Sequence, residues 1–420
     1  MTDLIVIGAG LSGLIAGYAT AKAGKQVKIV AKGLGATHWH AGSIDVLGYY
    51  PNDTIAVHRP LEILRELTRT QSQHPYAILG EANIANALNR FIELSREIGL
   101  PYVGAANAGD NLWLPSPIGA ARPTFLAPQA QLAGDLRRTE PMLIVGFSGL
   151  RDFYPKLIAE NLHKQGHTTR AEFLSLELIT PRHDLNTAQL AAVLDDEKCR
   201  AKLAAELKKI VRPGERIGLP AILGMDAHAA VLNDLESQTG AEIFEIPTLP
   251  PSVPGVRLTN ALRVCLRKLQ VRVDLNMDVI GFHAEGDRVV WIESDAASRP
   301  LKHRADNFLL ATGGILGAGI DTDHTGKTWE TIFNLPLVAP ANRGEWFRAR
   351  FFDPAGHPIF RAGVSVNHAF QPIDPNCATV YSNVYAAGNV LAYADPILER
   401  SMEGIAIATG FAAAQSISEQ

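Results

Sequence analysis

The chain is 420 residues long, 47% apolar and 20% charged, with a formal net charge of −4. That length suits two or three domains with a large core, and the near-neutral balance excludes holding nucleic acid or an anionic membrane by bulk charge. The three cysteines, Cys199, Cys265 and Cys377, lie too far apart to hold an iron–sulfur cluster or a structural zinc, and their scarcity fits a reducing cytoplasm.

Asp3-Leu4-Ile5-Val6-Ile7 is a β-branched apolar run that leads into Gly8-Ala9-Gly10-Leu11-Ser12-Gly13. A helical pattern covers Leu14 to Gly24, and Gln26 to Ala31 reads as a second strand. Strand, glycine turn, helix, strand is the opening of a dinucleotide-binding fold. Gly8 suits the tight turn, Gly10 lets a pyrophosphate approach the backbone, and Gly13 lets the helix pack on the sheet; all three are assigned to cofactor phosphate. The stretch lacks a basic leader, so it reads as mature structure. No run nears about 18 uninterrupted apolar residues, so no transmembrane helix is expected.

A ribose-binding acid is expected about 20 residues beyond the fingerprint, but Ala31 and Lys32 stand there. This weakens the case for an adenosine half, as in FAD or NAD, and leaves room for a mononucleotide. The loop from Lys32 to Val46 follows, with His38, Trp39 and His40, then Gly42 and Ser43. Loops at this point of the fold lie over the cofactor.

Residues 58–99 read as two helices, marked by Leu61, Leu64 and Leu67 and by Ile84, Leu88, Phe91 and Leu94. Gly and Pro crowd Pro101 to Pro141, where a domain crossing is placed. Met142 to Leu150 is a buried strand ending in a glycine turn; Leu150 stands where a GxSxG nucleophile elbow needs its last glycine. A helix carrying Leu157, Ile158 and Leu162 and a strand from Phe173 to Leu178 come next. Thr187 to Lys209 reads as one helix, Ile217 to Leu223 as a strand ending at Gly224-Met225-Asp226-Ala227-His228, and Ala241 to Ile246 as another strand after a helix. Pro247 to Arg257, with four prolines, reads as a stiff connection, and Thr259 to Lys268 as a helix. Then come Val271 to Asp274, a hairpin closed by Gly286-Asp287, the buried strand Asn307 to Ala311 ending in Thr312-Gly313-Gly314, and the polar-aromatic cluster Arg343-Gly344-Glu345-Trp346-Phe347. Val384-Tyr385-Ala386-Ala387-Gly388-Asn389 precedes a small-residue helix from about Glu403 to Ser416.

The N-terminal fingerprint, the Thr312-Gly313-Gly314 strand end and the late Gly388-Asn389 motif, in that order, resemble the two-part flavoprotein oxidoreductases. Gly313, Gly314, Gly388, Asn389 and Gly404 join the cofactor set on that resemblance, with Lys32, His40, Gly42 and Ser43 as loop contacts. Asn389 stands where an acid usually holds the ribityl chain, and the final helix is expected to direct its N-terminus at the flavin ring. His38 or His40 is where a covalent flavin bond would form. The expected fold is α/β: a discontinuous Rossmann-like flavin-binding domain (1–60 and 255–420), a helical and loop-rich insertion (61–140) and an inserted α/β cap domain (141–254).

The chain resembles the B-subunit family of anaerobic glycerol-3-phosphate dehydrogenase through Gly10-Leu11-Ser12-Gly13-Leu14, Gly42-Ser43-Ile44-Asp45-Val46-Leu47, His74-Pro75-Tyr76, Val145 to Phe153, Pro247 to Leu258 and Arg343-Gly344-Glu345-Trp346. The resemblance implies a flavin subunit, carrying FMN (with FAD the alternative). It would work with a catalytic flavoprotein subunit and an iron–sulfur subunit. Together they would oxidise glycerol 3-phosphate to dihydroxyacetone phosphate and pass electrons to quinone. It implies a cytoplasmic location, peripheral to the inner membrane face through those partners. For the alcohol chemistry, His228 is the candidate base and Arg257 and Arg343 the candidate phosphate ligands, or else salt-bridge residues. The other readings are a stand-alone FAD oxidoreductase for another small alcohol or acid, and a non-catalytic assembly subunit with a degenerate flavin site.

Overall fold

The computed structural model describes residues 2–50, 55–105, 109–180, 185–250, 252–296 and 299–419. Pro251, within the expected proline connection, lies outside them. The chain forms two compact units, one of residues 1–36, 45–99 and 259–420, the other of residues 37–44 and 100–258.

The first unit is built on a five-stranded parallel sheet in the order Arg272–Leu275, Val27–Ala31, Leu4–Ile7, Asn307–Leu310, Val384–Ala386. Leu4–Ile7 reads as an unbroken apolar run because all four residues are buried, as expected of a parallel strand covered on both faces. The helix Leu11–Lys22 returns from the central strand, and the final helix Met402–Ser418 packs along it. Gly410 permits that approach, since a Cβ there would sit 2.8 Å from the Ser12 carbonyl oxygen. Helices Pro60–Thr70, Pro75–Leu79 and Glu81–Glu97 belong to this unit. So does an antiparallel sheet of Val279–Glu285, Arg288–Ser294 and Leu301–Arg304.

The second unit has its own parallel sheet, ordered Ile243–Ile246, Arg216–Pro220, Met142–Ser148, Thr169–Ser175, with a separate apolar core. Three local expectations change. The last of these strands begins at Thr169, four residues early, because it pairs along the whole of Met142–Ser148. The expected helix Thr187 to Lys209 is two, Thr187–Leu194 and Glu197–Ile210, because the Asp196 carboxylate accepts from the Lys198 and Cys199 N–H groups and starts a new helix. The proline connection ends sooner than expected, since a helix runs from Val253 to Lys268. Pro254 falls in its first turn, where a missing N–H costs nothing.

Candidate functional site

Three strand ends of the first unit meet at the carboxyl edge of its sheet. The chain leaves the central strand to one side for Val27–Ala31 and returns on the other side as Asn307–Leu310. That reversal is the topological switch point, where ligands of open α/β sheets bind. Gly8 N–H donates to Val30 O (2.9 Å), Ala311 N–H to Ile7 O (2.9 Å) and Ala387 N–H to Leu310 O (3.0 Å), so the three turns start in register. Gly8 has φ +119°, and a Cβ there would overlap the Ala311 carbonyl. Gly388 has φ +80°, and its missing Cβ leaves room for the Ser12 side chain. Gly314 backs onto the Asn389 carbonyl, and Gly13 lies against the Gly8 carbonyl. The first unit thus gathers Gly8, Gly10, Gly13, Gly313, Gly314, Gly388 and Asn389.

Gly10 differs from its neighbours. It is the N-cap of the Leu11–Lys22 helix, with no side-chain cap, and a Cβ built on it would meet nothing within 4 Å. Its lack of a side chain answers no packing need of the protein, whereas an anion at a helix N-terminus needs that space. Thr312 Oγ1 and Asn389 Oδ1 are buried and lack a hydrogen-bond partner among the described residues. Buried polar atoms are seldom left so. An uncapped helix start beside two orphaned polar atoms fits the phosphate and hydroxyl groups of a flavin nucleotide. Lys32 instead pairs with Asp278 at 2.8 Å on an exposed surface, and Ala31 is buried.

The start of the final helix is closed. Gly404 N–H donates to Asp45 O (3.0 Å), and the missing Cβ of Gly404 makes room for the Tyr76 hydroxyl and Val46. Gly404, expected at the cofactor, is packed here, with its N–H committed to Asp45 O. Around it Arg400 Nε donates to Asp45 Oδ2 (3.1 Å), and Ser401 Oγ donates to Glu399 Oε2 (3.0 Å), 3.2 Å from His74 Nε2. Burial first, and the Asp45 carboxylate second, push Glu403 up to about 8. The sequence signalled Asp45, His74 and Tyr76 as motif positions only; nothing in its periodicity marked them as one buried ionisable group.

The second unit holds the other expected residues. His40 Nδ1 accepts from Gly42 N–H (2.7 Å), the Tyr102 hydroxyl donates to Gly42 O, and Ser43 Oγ accepts from Arg122 Nη1 (2.6 Å). His38 packs edge-on to Trp39 with ring centroids 5.3 Å apart. Arg122, buried in the strand Ala121–Thr124, carries no sequence signal of its role because its neighbours mark a turn.

His228 starts the helix His228–Thr239, with Nδ1 2.7 Å from Leu223 O. That contact makes Nδ1–H the donor and leaves Nε2 as the acceptor. Burial first, then Arg257, lowers its pKa, so the ring is neutral at pH 7. Arg257 forms a buried bidentate pair with Glu245 (2.8 and 2.9 Å) and donates from Nε to Gly224 O (2.7 Å). Of the two uses expected of it, the ion pair is the one the fold builds. Arg343 is exposed in the first unit, donates to His324 O (3.0 Å) and lies over the Trp346 ring. Arg343 therefore belongs to a different unit from His228 and Arg257. Among the described residues no cluster of His, Cys, Asp and Glu suits a metal ion, and no helix is long and apolar enough to cross a membrane.

The model of the FAD binding domain family matches residues 3–401. The B subunit of an anaerobic glycerol-3-phosphate dehydrogenase from Yersinia pestis is 32% identical, over 99% of this chain and 98% of its own. Its counterpart from Aliivibrio fischeri is 29% identical over 100% and 95%. A probable anaerobic glycerol-3-phosphate dehydrogenase B subunit from Halobacterium salinarum is 30% identical over 100% and 98%. With a flavin-type switch point in its first sheet and these full-length likenesses, the chain belongs to the FAD-binding flavoprotein oxidoreductases and, among them, to the B-subunit family of anaerobic glycerol-3-phosphate dehydrogenase.

Proposed function

We propose that this chain binds FAD and serves as the B-subunit flavoprotein of a glycerol 3-phosphate dehydrogenase. The observation that carries the reading is the uncapped Gly10 helix start facing open space, with Thr312 Oγ1 and Asn389 Oδ1 orphaned at the adjoining strand ends. In this reading Gly8, Gly10 and Gly13 receive the phosphates, and Thr312 and Asn389 hydrogen-bond cofactor hydroxyls. The flavin, when bound, accepts the hydride equivalent of the alcohol oxidation. FAD is preferred to FMN because the family model that spans the chain is one of FAD binding. The absent acid at Ala31 then means only that the adenosine ribose is held some other way. A catalytic flavoprotein subunit and an iron–sulfur subunit are the proposed partners, with quinone as the final acceptor. The dispersed cysteines give this chain no cluster of its own to carry electrons onward.

For the substrate proton, His228 is the proposed base. It is neutral, and its Nε2 lone pair is oriented by the Leu223 carbonyl. His228→Gln is expected to keep flavin content and slow substrate-driven flavin bleaching at least tenfold; unchanged bleaching removes it. The cofactor test is direct. Purified protein should show a flavin absorption spectrum and, after heat release, yield FAD on chromatography. FMN in the supernatant would overturn the FAD assignment, and no flavin after reconstitution would overturn the whole reading.

A further inference from the structure

The loop that follows the Arg343-Gly344-Glu345-Trp346 motif has no part in the site above. It presents three phenylalanines to solvent: Phe347, Phe351 and Phe352 are 57%, 80% and 90% exposed. Phe351 and Phe352 pack on each other, edge to face, with centroids 4.8 Å apart. Adjacent apolar rings left so open mark an interaction site on a folded protein.

The loop is rigidly held. Trp346 is buried in a small core with Ile320, Ile359 and Ala362. Arg348 Nε donates to Gly356 O (3.1 Å), Arg348 N–H donates to His357 Nδ1 (3.1 Å), and His357 Nε2 lies 2.8 Å from Phe351 O. With Nδ1 accepting, Nε2 must carry the proton, so one histidine tautomer ties both sides of the loop tip together. Gly356 N–H closes the far turn on Asp353 O (2.9 Å). The rings are therefore displayed on a fixed backbone, which lowers the ordering cost of binding. Arginine and phenylalanine together are the composition of protein interfaces, and Arg343 and Arg350 are both exposed in the same loop.

We propose that the Arg343–Phe352 loop docks a partner subunit, through an apolar socket that takes the Phe351 and Phe352 rings and a carboxylate rim that meets Arg343 and Arg350. The proposal rests on the reading that this chain works as one subunit of a complex. An anionic membrane is the poorer occupant, since the loop's three arginines, Arg343, Arg348 and Arg350, fall short of a polybasic cluster and are partly offset by Glu345 and by Asp353 directly after it.

The test uses the full chain co-purified with its catalytic flavoprotein and iron–sulfur companions. Assembly is read by size-exclusion chromatography with light scattering and by titration. Phe351→Ser/Phe352→Ser is expected to weaken assembly at least tenfold, and Arg350→Glu to weaken it less, with flavin content and melting temperature of the isolated chain unchanged. If the wild-type chain fails to join its companions, the subunit reading and this proposal both fall. If wild type and double variant assemble equally, the subunit reading stands and the docking loop is wrong. Binding of wild type, but not the double variant, to phosphatidylserine vesicles, with assembly intact, would assign the loop to a membrane and overturn the proposal. A self-dimer abolished by the double variant, again with assembly intact, would overturn it in favour of a second copy.

Discussion

At the switch point of the first sheet, a helix begins at Gly10 with no side chain capping it and open space before it. At the end of the Arg216–Pro220 strand in the second unit, the N–H groups of the turn into the next helix are already taken. The Asp195 carboxylate accepts from the N–H groups of Met225 (3.1 Å), Asp226 (3.1 Å) and Ala227 (2.9 Å). Glu245 accepts from Leu223 N–H (2.8 Å) and is itself held by Arg257. Burial would raise the Glu245 pKa, but Arg257 more than offsets it and keeps the carboxylate ionised. Both places are carboxyl ends of parallel strands followed by helices. In one the protein satisfies its own donors with internal carboxylates, and in the other no side chain caps the helix start. Whether such an edge offers N–H donors to an anion thus depends on which side chains fill it, more than on topology.

Removing one partner of the closed end should have the largest effect. Arg257→Met strands a buried Glu245 charge and is expected to cost about 3–5 kcal/mol of stability, read as a fall in urea midpoint. A loss under about 1 kcal/mol would mean the second edge is not built around this pair.

Next comes a pH test of the first unit's own buried carboxyl group. Glu403 titrates near an ordinary 4.5 when unfolded and at about 8 when folded. Its stabilising contribution is therefore complete below the unfolded value and is lost as pH rises through about 8. Wild-type stability should fall by on the order of 3 kcal/mol between pH 5 and 9 from this group. Glu403→Gln should flatten most of that slope in denaturant titrations; an unchanged slope would show that another group titrates there.

The open end is tested by Gly10→Val. Gly10 has φ −74° and ψ 178°, extended backbone that any residue adopts, and its Cβ would meet no protein atom. The variant should melt within about 1 kcal/mol of wild type in the apo form yet bind flavin at least ~tenfold more weakly, by fluorescence titration. Gly13→Val, whose Cβ would overlap the Gly8 carbonyl, should lose both properties. Smallest of all, Asn389→Ala removes one hydrogen-bonding group and should cost about 1 kcal/mol of flavin affinity with no loss of fold stability. An apo-fold loss in the Gly10 variant as large as that in the Gly13 variant would erase the contrast between open and closed edges.

Much of the first edge was legible because its requirements are local. Gly8, Gly10 and Gly13 sit within one turn, and Thr312-Gly313-Gly314 and Gly388-Asn389 each follow an apolar strand directly. The closed edge was not legible. Asp195 caps a turn some thirty residues on, and Arg257 meets Glu245 across the end of a strand, so neither pairing leaves a periodic trace. The same holds for Gly404, whose place at a helix start is plain in the sequence, while its surroundings come from Tyr76 and Asp45 far back in the chain. Thr187 to Lys209 reads as one helix because both halves share an apolar period; the capping carboxylate of Asp196 breaks it.

The strand order of the first sheet also fixes when the site can exist. Leu4–Ile7 needs Asn307–Leu310 beside it, and that strand is synthesised roughly 300 residues later, roughly 15–60 s at ordinary elongation rates. During that interval one edge of a wholly apolar strand is unpaired and open to pairing with another chain. Assembly of the sheet, and with it the loading of any nucleotide at Gly10, is therefore confined to a chain that is almost finished, and protection of the waiting strand falls to whatever meets the nascent polypeptide first.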